Sequence, residues 1–126
     1  MTAEDQGTME SHAIVMADAD GIIRFWSPGA ARLFGYDAAK AIGQTLDMLV
    51  PDDYREQHWD GFRAAVSKGK TKLDQPAANL PVVCSDGSIR RIPGRLILLR
   101  DAQARAVGVM AIFGPGEGPD PALPNV

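Results

Sequence analysis

Residues 17–53, ADADGIIRFWSPGAARLFGYDAAKAIGQTLDMLVPDD, decide the fold of this chain. The segment 18–21, DADG, predicts a tight turn, because aspartate side chains bond their own backbone and glycine tolerates a positive φ. Apolar runs lie on both sides of this turn, at residues 12–17 and 22–26. Two such runs joined by a turn predict a β-hairpin.

Short helices are predicted after the hairpin. Ser27 and Pro28 indicate a helix start, with a hydroxyl cap followed by proline at the first position, and Gly35 indicates the end of that helix. Asp37 is expected to cap a second short helix that ends at Gly43. The apolar residues that follow lead through a turn into the next helix.

A longer helix and three strands complete the predicted pattern. The helix is expected to begin with a cap at Asp52 or Asp53 and to run to about Ser67. The strands are expected at residues 80–84, 90–99 and 107–113. Two strands before the helices and three after them predict an α+β fold, a five-stranded antiparallel sheet with several short helices packed on one face. A pocket is expected between the sheet and the helices.

This ordered set of motifs resembles the PAS family. Residues 17–53 are similar to the first half of its sensory-box pattern, with a D-x-x-G-x-I hairpin, a helix ending in F-G-Y and a final L-x-P. Residues 85–113, SDGSIRRIPGRLILLRDAQARAVGVMAIF, resemble its D-G hairpin and last strand pair. The resemblance covers residues 12–113 and implies the PAS fold, with a sensing or dimerising role. We expect residues 1–11 and the Pro/Gly-rich residues 114–126 to be tails.

Composition excludes several functional classes. A chain of 126 residues is one ordinary domain, and its net charge of −3 leaves no excess of Lys and Arg for nucleic acid. It contains no apolar run of about 18 residues, so no membrane span is expected. The polar, acidic first ten residues do not resemble a secretory signal, which indicates a cytoplasmic protein. The single cysteine, Cys84, excludes an internal disulfide and is expected to be a buried thiol.

The longer predicted helix carries a histidine on its apolar face. His58 lies four residues after Tyr54 and four before Phe62, so the three side chains share one face. Trp59 widens this face and is a candidate for stacking on a ligand. Gly61 costs the helix about 1 kcal/mol relative to alanine. Its presence indicates room for something flat and bulky, such as a macrocycle, against the backbone.

The word Arg55-Glu-Gln-His58 resembles the R-x-x-H motif of haem-binding PAS domains of oxygen-sensing histidine kinases. The resemblance implies haem b as cofactor, His58 as its proximal iron ligand, and a diatomic gas or redox state as the signal. It also places Gly94 and Leu96 above the iron, and Leu98 follows them on the same alternating face of the strand. A glycine at 94 is expected to leave the distal side open.

Other residues are candidates around such a haem. The position of the distal arginine of those sensors holds Ala78. Met110, on the last predicted strand, is a remote candidate for the sixth iron ligand. Basic side chains that could reach the haem propionates are Arg55, Arg63, Lys70, Lys72 and Arg95.

The alternative is a histidine without iron. In that case His58 bonds a backbone carbonyl in the core, and the domain is a cofactor-free or small-metabolite-binding module acting in dimerisation and protein–protein signalling. In either case a homodimer is expected, formed through the N-terminal segment or the outer sheet face, with a separate signalling protein as a further partner. No Ser–His–Asp set or metal cluster stands out, so we expect a binding module rather than an enzyme.

Overall fold

The computed structural model describes residues 12–69 and 78–114. Within these residues, no helix is long and apolar enough to cross a membrane. The strands are β1 (Ala13–Asp18), β2 (Ile23–Trp26), β3 (Ala78–Val83), β4 (Ile89–Arg100) and β5 (Ala106–Phe113). The helices are α1 (Pro28–Phe34), α2 (Ala38–Ala41) and α3 (Arg55–Lys68), and two 3₁₀ turns precede α3 at Leu46–Leu49 and Asp52–Tyr54.

The strands form a single antiparallel sheet in the order β2-β1-β5-β4-β3. The hairpin β1–β2 and the meander β3–β4–β5 are joined where β1 pairs with β5. The last strand therefore lies in the centre of the sheet. This arrangement confirms the predicted α+β fold, with a five-stranded antiparallel sheet and helices against one face.

Side-chain caps begin the two short helices where the sequence predicts them. The Ser27 hydroxyl accepts a hydrogen bond from the Ala30 N–H at 3.1 Å. The Asp37 carboxylate accepts one from the Lys40 N–H at 3.3 Å. Gly35 ends α1 with φ at 86°, a left-handed conformation in which a Cβ atom would be strained.

The start of α3 differs from the prediction. Asp52 and Asp53 do not cap this helix, because both belong to the 3₁₀ turn before it, and Tyr54 precedes α3 without any side-chain cap. In that turn the Tyr54 N–H donates to the Pro51 carbonyl at 2.9 Å. A tight turn of this kind satisfies backbone groups without a capping side chain. The end of α3 is as predicted, at Gly69 with φ at 72°.

Phe34 lies at the centre of the core between α1 and the sheet. Its side chain is fully buried, and its ring centroid lies 5.6 Å from that of Trp26 and 5.2 Å from that of Phe113. Burial of a phenylalanine is worth about 1.5–3 kcal/mol, and tilted aromatic pairs add about 0.5–1.5 kcal/mol. The Trp26 indole N–H donates to the Tyr36 carbonyl at 2.8 Å. These contacts fix α1 against β2 and β5.

The Ser27 side chain connects β1 to α1 through two hydrogen bonds, and its removal tests how much they stabilise the fold. Its buried hydroxyl accepts hydrogen bonds from the Ile14 N–H at 2.9 Å and from the Ala30 N–H. Because Ser27→Ala leaves two backbone donors without their acceptor, we expect the free energy of unfolding to fall by about 1–3 kcal/mol in urea titrations.

Asp37→Ala is the control for this prediction. The Asp37 carboxylate caps α2 on the exposed surface and has a single backbone donor. Water can replace it there, so its loss should cost less, about 0.5–1 kcal/mol. Equal losses in the two variants would contradict the proposed bridging role of Ser27.

Candidate functional site

A cavity of about 850 Å³ lies between α3 and the inner face of the sheet. This volume is within the range of about 300–1,000 Å³ typical of small-molecule and cofactor sites. Its sheet wall is lined by Val15, Ala17, Leu80, Pro81, Val82, Arg91, Leu96, Leu98, Val109, Ala111 and Phe113. Its helical wall is lined by Leu46, Leu49, Val50, Pro51, Tyr54, Gln57, His58, Gly61, Phe62, Ala64, Ala65 and Lys68. The wall is therefore mainly apolar, with a few polar side chains.

Helix α3 contacts the sheet along only one of its flanks. On that flank Trp59, Phe62 and Val66 belong to an apolar cluster with residues of β1, β4 and β5. The neighbouring flank carries Gly61 and Ala64, which are too small to reach the sheet. The residues on the cavity side recur every three or four positions, the spacing that keeps side chains on one helical face. The cavity is the space that these small residues leave.

Trp59 fixes α3 to the β1–β2 hairpin and lies outside the cavity lining. Its indole N–H donates to the Asp47 carboxylate at 2.6 Å. Its ring lies against the backbone of Gly21, where any Cβ atom would collide with it. Gly21 also has a left-handed φ of 80°, so the turn and the contact both require glycine. The contacts that the structure shows for Trp59, a candidate for stacking on a ligand, are therefore structural ones.

His58 is half-buried on the cavity wall, beside Trp59 and Phe62. The centroid of its ring lies 5.0 Å from that of Trp59 and 6.1 Å from that of Phe62. Its Nδ1 atom is shielded from solvent and has no hydrogen-bond partner in the described part of the chain. The carbonyl partner expected in a purely structural role is therefore absent from residues 12–69 and 78–114.

The surroundings of His58 favour the neutral imidazole. Burial lowers its pKa from the ordinary value, because the charged form loses its hydration, and the Asp47 carboxylate only partly opposes this effect. At neutral pH the ring therefore has an unprotonated nitrogen. A neutral imidazole nitrogen is the form that binds metals.

Gly61 leaves open space beside the helix, one turn after His58. It lines the cavity, and a Cβ atom built there would have no neighbour within 4 Å. Nothing in the described residues requires glycine for packing, although glycine in a helix costs about 1 kcal/mol relative to alanine. Space of this kind beside Gly61 is what the sequence predicts for a flat ligand.

The residues predicted on β4 and β5 are divided between the two faces of the sheet. Leu96 and Leu98 line the cavity. Gly94 does not, and the open space expected there is already filled, since an added Cβ would lie 2.8 Å from Leu80 Cδ1 and 3.0 Å from Phe113 Cδ1. Met110 alternates with cavity-lining residues of β5 and belongs to the outer face, so we do not retain it as an iron ligand.

Of the basic residues predicted for haem propionates, the three that the structure describes do not line the cavity. Arg55 pairs with Asp52 at 3.0 Å, and Arg63 pairs with Asp60 at 2.9 Å. Arg95 is exposed and is not part of the lining. Lys70 and Lys72 lie outside the described residues, as does the side chain of Ala78. The predicted burial of the Cys84 thiol is confirmed.

Sequence reasoning missed several lining residues, namely Gln57, Ala64, Lys68, Pro81 and Arg91. Gln57, Ala64 and Lys68 could have been found, because they continue the spacing of Tyr54 and Gly61 along one helical face. Arg91 could not, since the alternation of β4 assigns it to the outer face. Arg91 nevertheless lines the cavity together with Pro81, its partner in the pairing of β4 with β3.

Among the described residues, no three His, Cys, Asp or Glu side chains come together as a metal site. A haem would not need such a cluster, because its porphyrin supplies four nitrogens to the iron and one protein side chain such as a histidine would suffice to hold it.

Comparison with known proteins identifies the family of the fold. A family model described as the PAS fold matches residues 11–115. The chain is 31% identical over 74 residues to the oxygen sensor protein DosP of Escherichia coli strain K12, covering 59% of this chain and 9% of that protein. It is 41% identical over 62 residues to the sensor protein FixL of Bradyrhizobium diazoefficiens, covering 49% of this chain and 12% of that protein. The chain thus spans about a tenth of the length of these curated relatives.

A solved structure gives the same result for the fold. The PAS domain of a protein from Colwellia psychrerythraea superimposes with a TM-score of 0.72 at 23% identity. The match covers 92% of this chain and 98% of that one. At this identity the likeness concerns the fold alone.

The lowered pKa of His58 predicts a pH dependence of stability. Above the ordinary pKa of about 6.5 the imidazole is neutral in both states, and its contribution to stability is complete. As the pH falls below that value, the unfolded chain binds the proton first, so the free energy of unfolding declines until the folded pKa is passed. Urea titrations at about pH 7.5 and about pH 5.5 measure this loss.

The variants His58→Ala and His12→Ala separate the two histidines. Removal of His58 should abolish this part of the decline, whereas removal of His12 should retain it. An unchanged pH dependence in His58→Ala would show that burial does not perturb the imidazole.

Proposed function

The chain belongs to the PAS family, and we propose that it is a sensory module that binds haem b through His58. One observation carries this proposal: on the wall of a largely apolar cavity of about 850 Å³, the Nδ1 atom of His58 is buried without a hydrogen-bond partner among the described residues. Burial also lowers the pKa of this imidazole, which favours its neutral form. Imidazole is the usual proximal ligand of haem iron in globins and related proteins. The name of the relative DosP, an oxygen sensor, supports a gas as the signal.

The cavity fits a flat apolar group on two independent grounds. His58 supplies a nitrogen that has no competing partner among the described residues. Gly61 supplies empty space next to the same helical flank. Leu96 and Leu98 give the sheet side of the cavity an apolar surface. When bound, the haem iron would supply the site for a diatomic gas or for a change of redox state.

The visible spectrum of the reconstituted protein tests the haem proposal. Titration of the purified chain with haemin should produce a sharp Soret band at one equivalent. We expect His58→Ala to lose or shift this band, because the axial nitrogen is removed. His12→Ala should bind as the wild type does, since it removes the other histidine of the chain.

A second variant makes the test independent of the iron ligand. Gly61→Leu fills the open space beside the helix while leaving His58 in place, and leucine is a good helix former. It should weaken haemin binding without lowering the free energy of unfolding. Wild-type protein without a Soret band, or one whose band is unchanged in both variants, would rule out the proposal.

We also propose that the outer face of the sheet pairs two copies of this chain, as PAS domains commonly dimerise. Apolar side chains share that face across β2, β1, β5 and β4, among them Phe25, Met16, Ile14, Met110, Ile112, Ile97 and Leu99. They are neighbours in register, with Met16 opposite both Phe25 and Met110. None of them lines the cavity, and Phe25 is 43% exposed. Apolar surface of this kind is typical of interfaces.

Met110→Glu tests the dimer proposal, because it introduces a charge at the centre of the outer face. Sedimentation velocity over a dilution series should show a dimer for the wild type and a monomer for this variant. Ile42→Glu is the control, since Ile42 is 46% exposed but lies next to α2, on the helical side. A wild type that is monomeric at all concentrations, or a Met110→Glu variant that still dimerises, would contradict this interface.

A further inference from the structure

Arg91 and Tyr54 lie where the cavity opens to solvent. Both residues line the cavity and both are exposed, Tyr54 by 39%. A guanidinium nitrogen of Arg91, Nη2, lies 3.5 Å from the Tyr54 hydroxyl. The two side chains therefore join β4 to the residue before α3 where the cavity opens.

The charge of Arg91 has no carboxylate partner among the described residues. The arginines at positions 24, 55, 63 and 105 each pair with an aspartate at 2.8–3.3 Å. Arg91 differs from these in having the neutral Tyr54 hydroxyl as its polar neighbour. An unpaired guanidinium at the mouth of an apolar cavity is suited to an anion brought by a ligand, since its planar fork matches a carboxylate.

The residues around Arg91 indicate the chemistry of the rest of that ligand. Pro81 lies opposite Arg91 on β3, and Leu80 and Val82 on either side of it also line the cavity. The interior beyond the mouth is apolar, so a ligand that enters here places its charge at Arg91 and its body against hydrocarbon. Lys68 is a separate cation, because it follows Tyr54 by 14 positions, about 20 Å along a helix.

We propose that the Arg91 guanidinium and the Tyr54 hydroxyl bind the carboxylate of an amphipathic ligand whose apolar body occupies the cavity. The inference rests on the proposed function where that carboxylate is a haem propionate. Tyr54 precedes His58 by four residues, so the two side chains lie on one face about 6 Å apart along the axis. The same chemistry is offered by a long-chain fatty acid, and the experiment distinguishes the two sources.

The first arm compares haemin with haemin dimethyl ester, in which both propionates are uncharged. Fluorescence quenching of the tryptophans measures the dissociation constants of the wild type and of Arg91→Gln. Wild-type protein should prefer haemin by about tenfold or more, because a charge-assisted hydrogen bond is lost in the ester. Arg91→Gln should bind the ester as the wild type does and should lose the preference for haemin.

The second arm compares dodecanoate with 1-dodecanol by isothermal titration calorimetry. Both have the same apolar chain, so a preference for the acid measures the contribution of the carboxylate. If a fatty acid is the ligand, this preference should be present in the wild type and absent in Arg91→Gln. Tyr54→Phe should reduce it by a smaller factor, because only one neutral donor is removed.

Arg95→Gln is the matched control, since it removes the same charge from an exposed position of β4 outside the cavity lining. This variant should keep the wild-type preference for haemin over its ester and for dodecanoate over 1-dodecanol.

Haemin binding without any preference over the ester would overturn the inference and leave the haem proposal standing. A preference for dodecanoate that Arg91→Gln abolishes, in a protein that binds no haemin, would support the inference and overturn haem. Failure of all four compounds to bind, or unchanged preferences in Arg91→Gln, would overturn the inference.

Discussion

The position of α3 over the sheet depends on Trp59. Its indole N–H donates to Asp47, and its ring rests on the backbone of Gly21, so the helix is attached to the 3₁₀ turn and to the first hairpin together. Arg55 reinforces this attachment, since its guanidinium donates to the carbonyls of Val50 and Asp47 at 3.3 Å. A helix held along one flank leaves its other flank free to form the wall of a cavity.

The free flank of α3 contains residues that do not favour stability. Gly61 weakens the helix, and the Nδ1 atom of His58 is buried without a hydrogen-bond partner in the described residues. Stable proteins rarely keep such local conflicts except at functional sites. The two conflicts lie within one helical turn of each other and face the same cavity. Their coincidence is the strongest physical argument that the cavity holds a ligand.

The central strand links the two proposed functions of the domain. On β5, Val109, Ala111 and Phe113 line the cavity, while Met110 and Ile112 belong to the outer face. A strand that presents alternate side chains to a ligand and to a partner subunit contacts both sites directly. Since β5 pairs with both β1 and β4, a displacement of this strand would move the centre of the outer face proposed for dimerisation.

The sequence by itself determined the fold, because hairpin turns, helix caps and apolar periodicity are local signals that each residue carries with it. Ser27 and Asp37 begin helices, and Gly35 ends one, at the positions that those signals predict. Helical spacing also placed His58 and Gly61 near one face of the long helix, and strand alternation placed Leu96 and Leu98 on one face of β4. The resemblance to haem-binding PAS domains implied that the two sets belong to one site, and all four residues line the cavity.

Only the tertiary structure decided which inward positions are filled and which are open. The space at Gly94 is occupied by Leu80 and Phe113, whereas the space at Gly61 is empty, and no local pattern distinguishes the two glycines. The structure likewise brought Arg91 to Tyr54, which lies 37 positions away in the chain. Contacts of this kind depend on how separate elements meet, and a spacing rule describes only one element at a time.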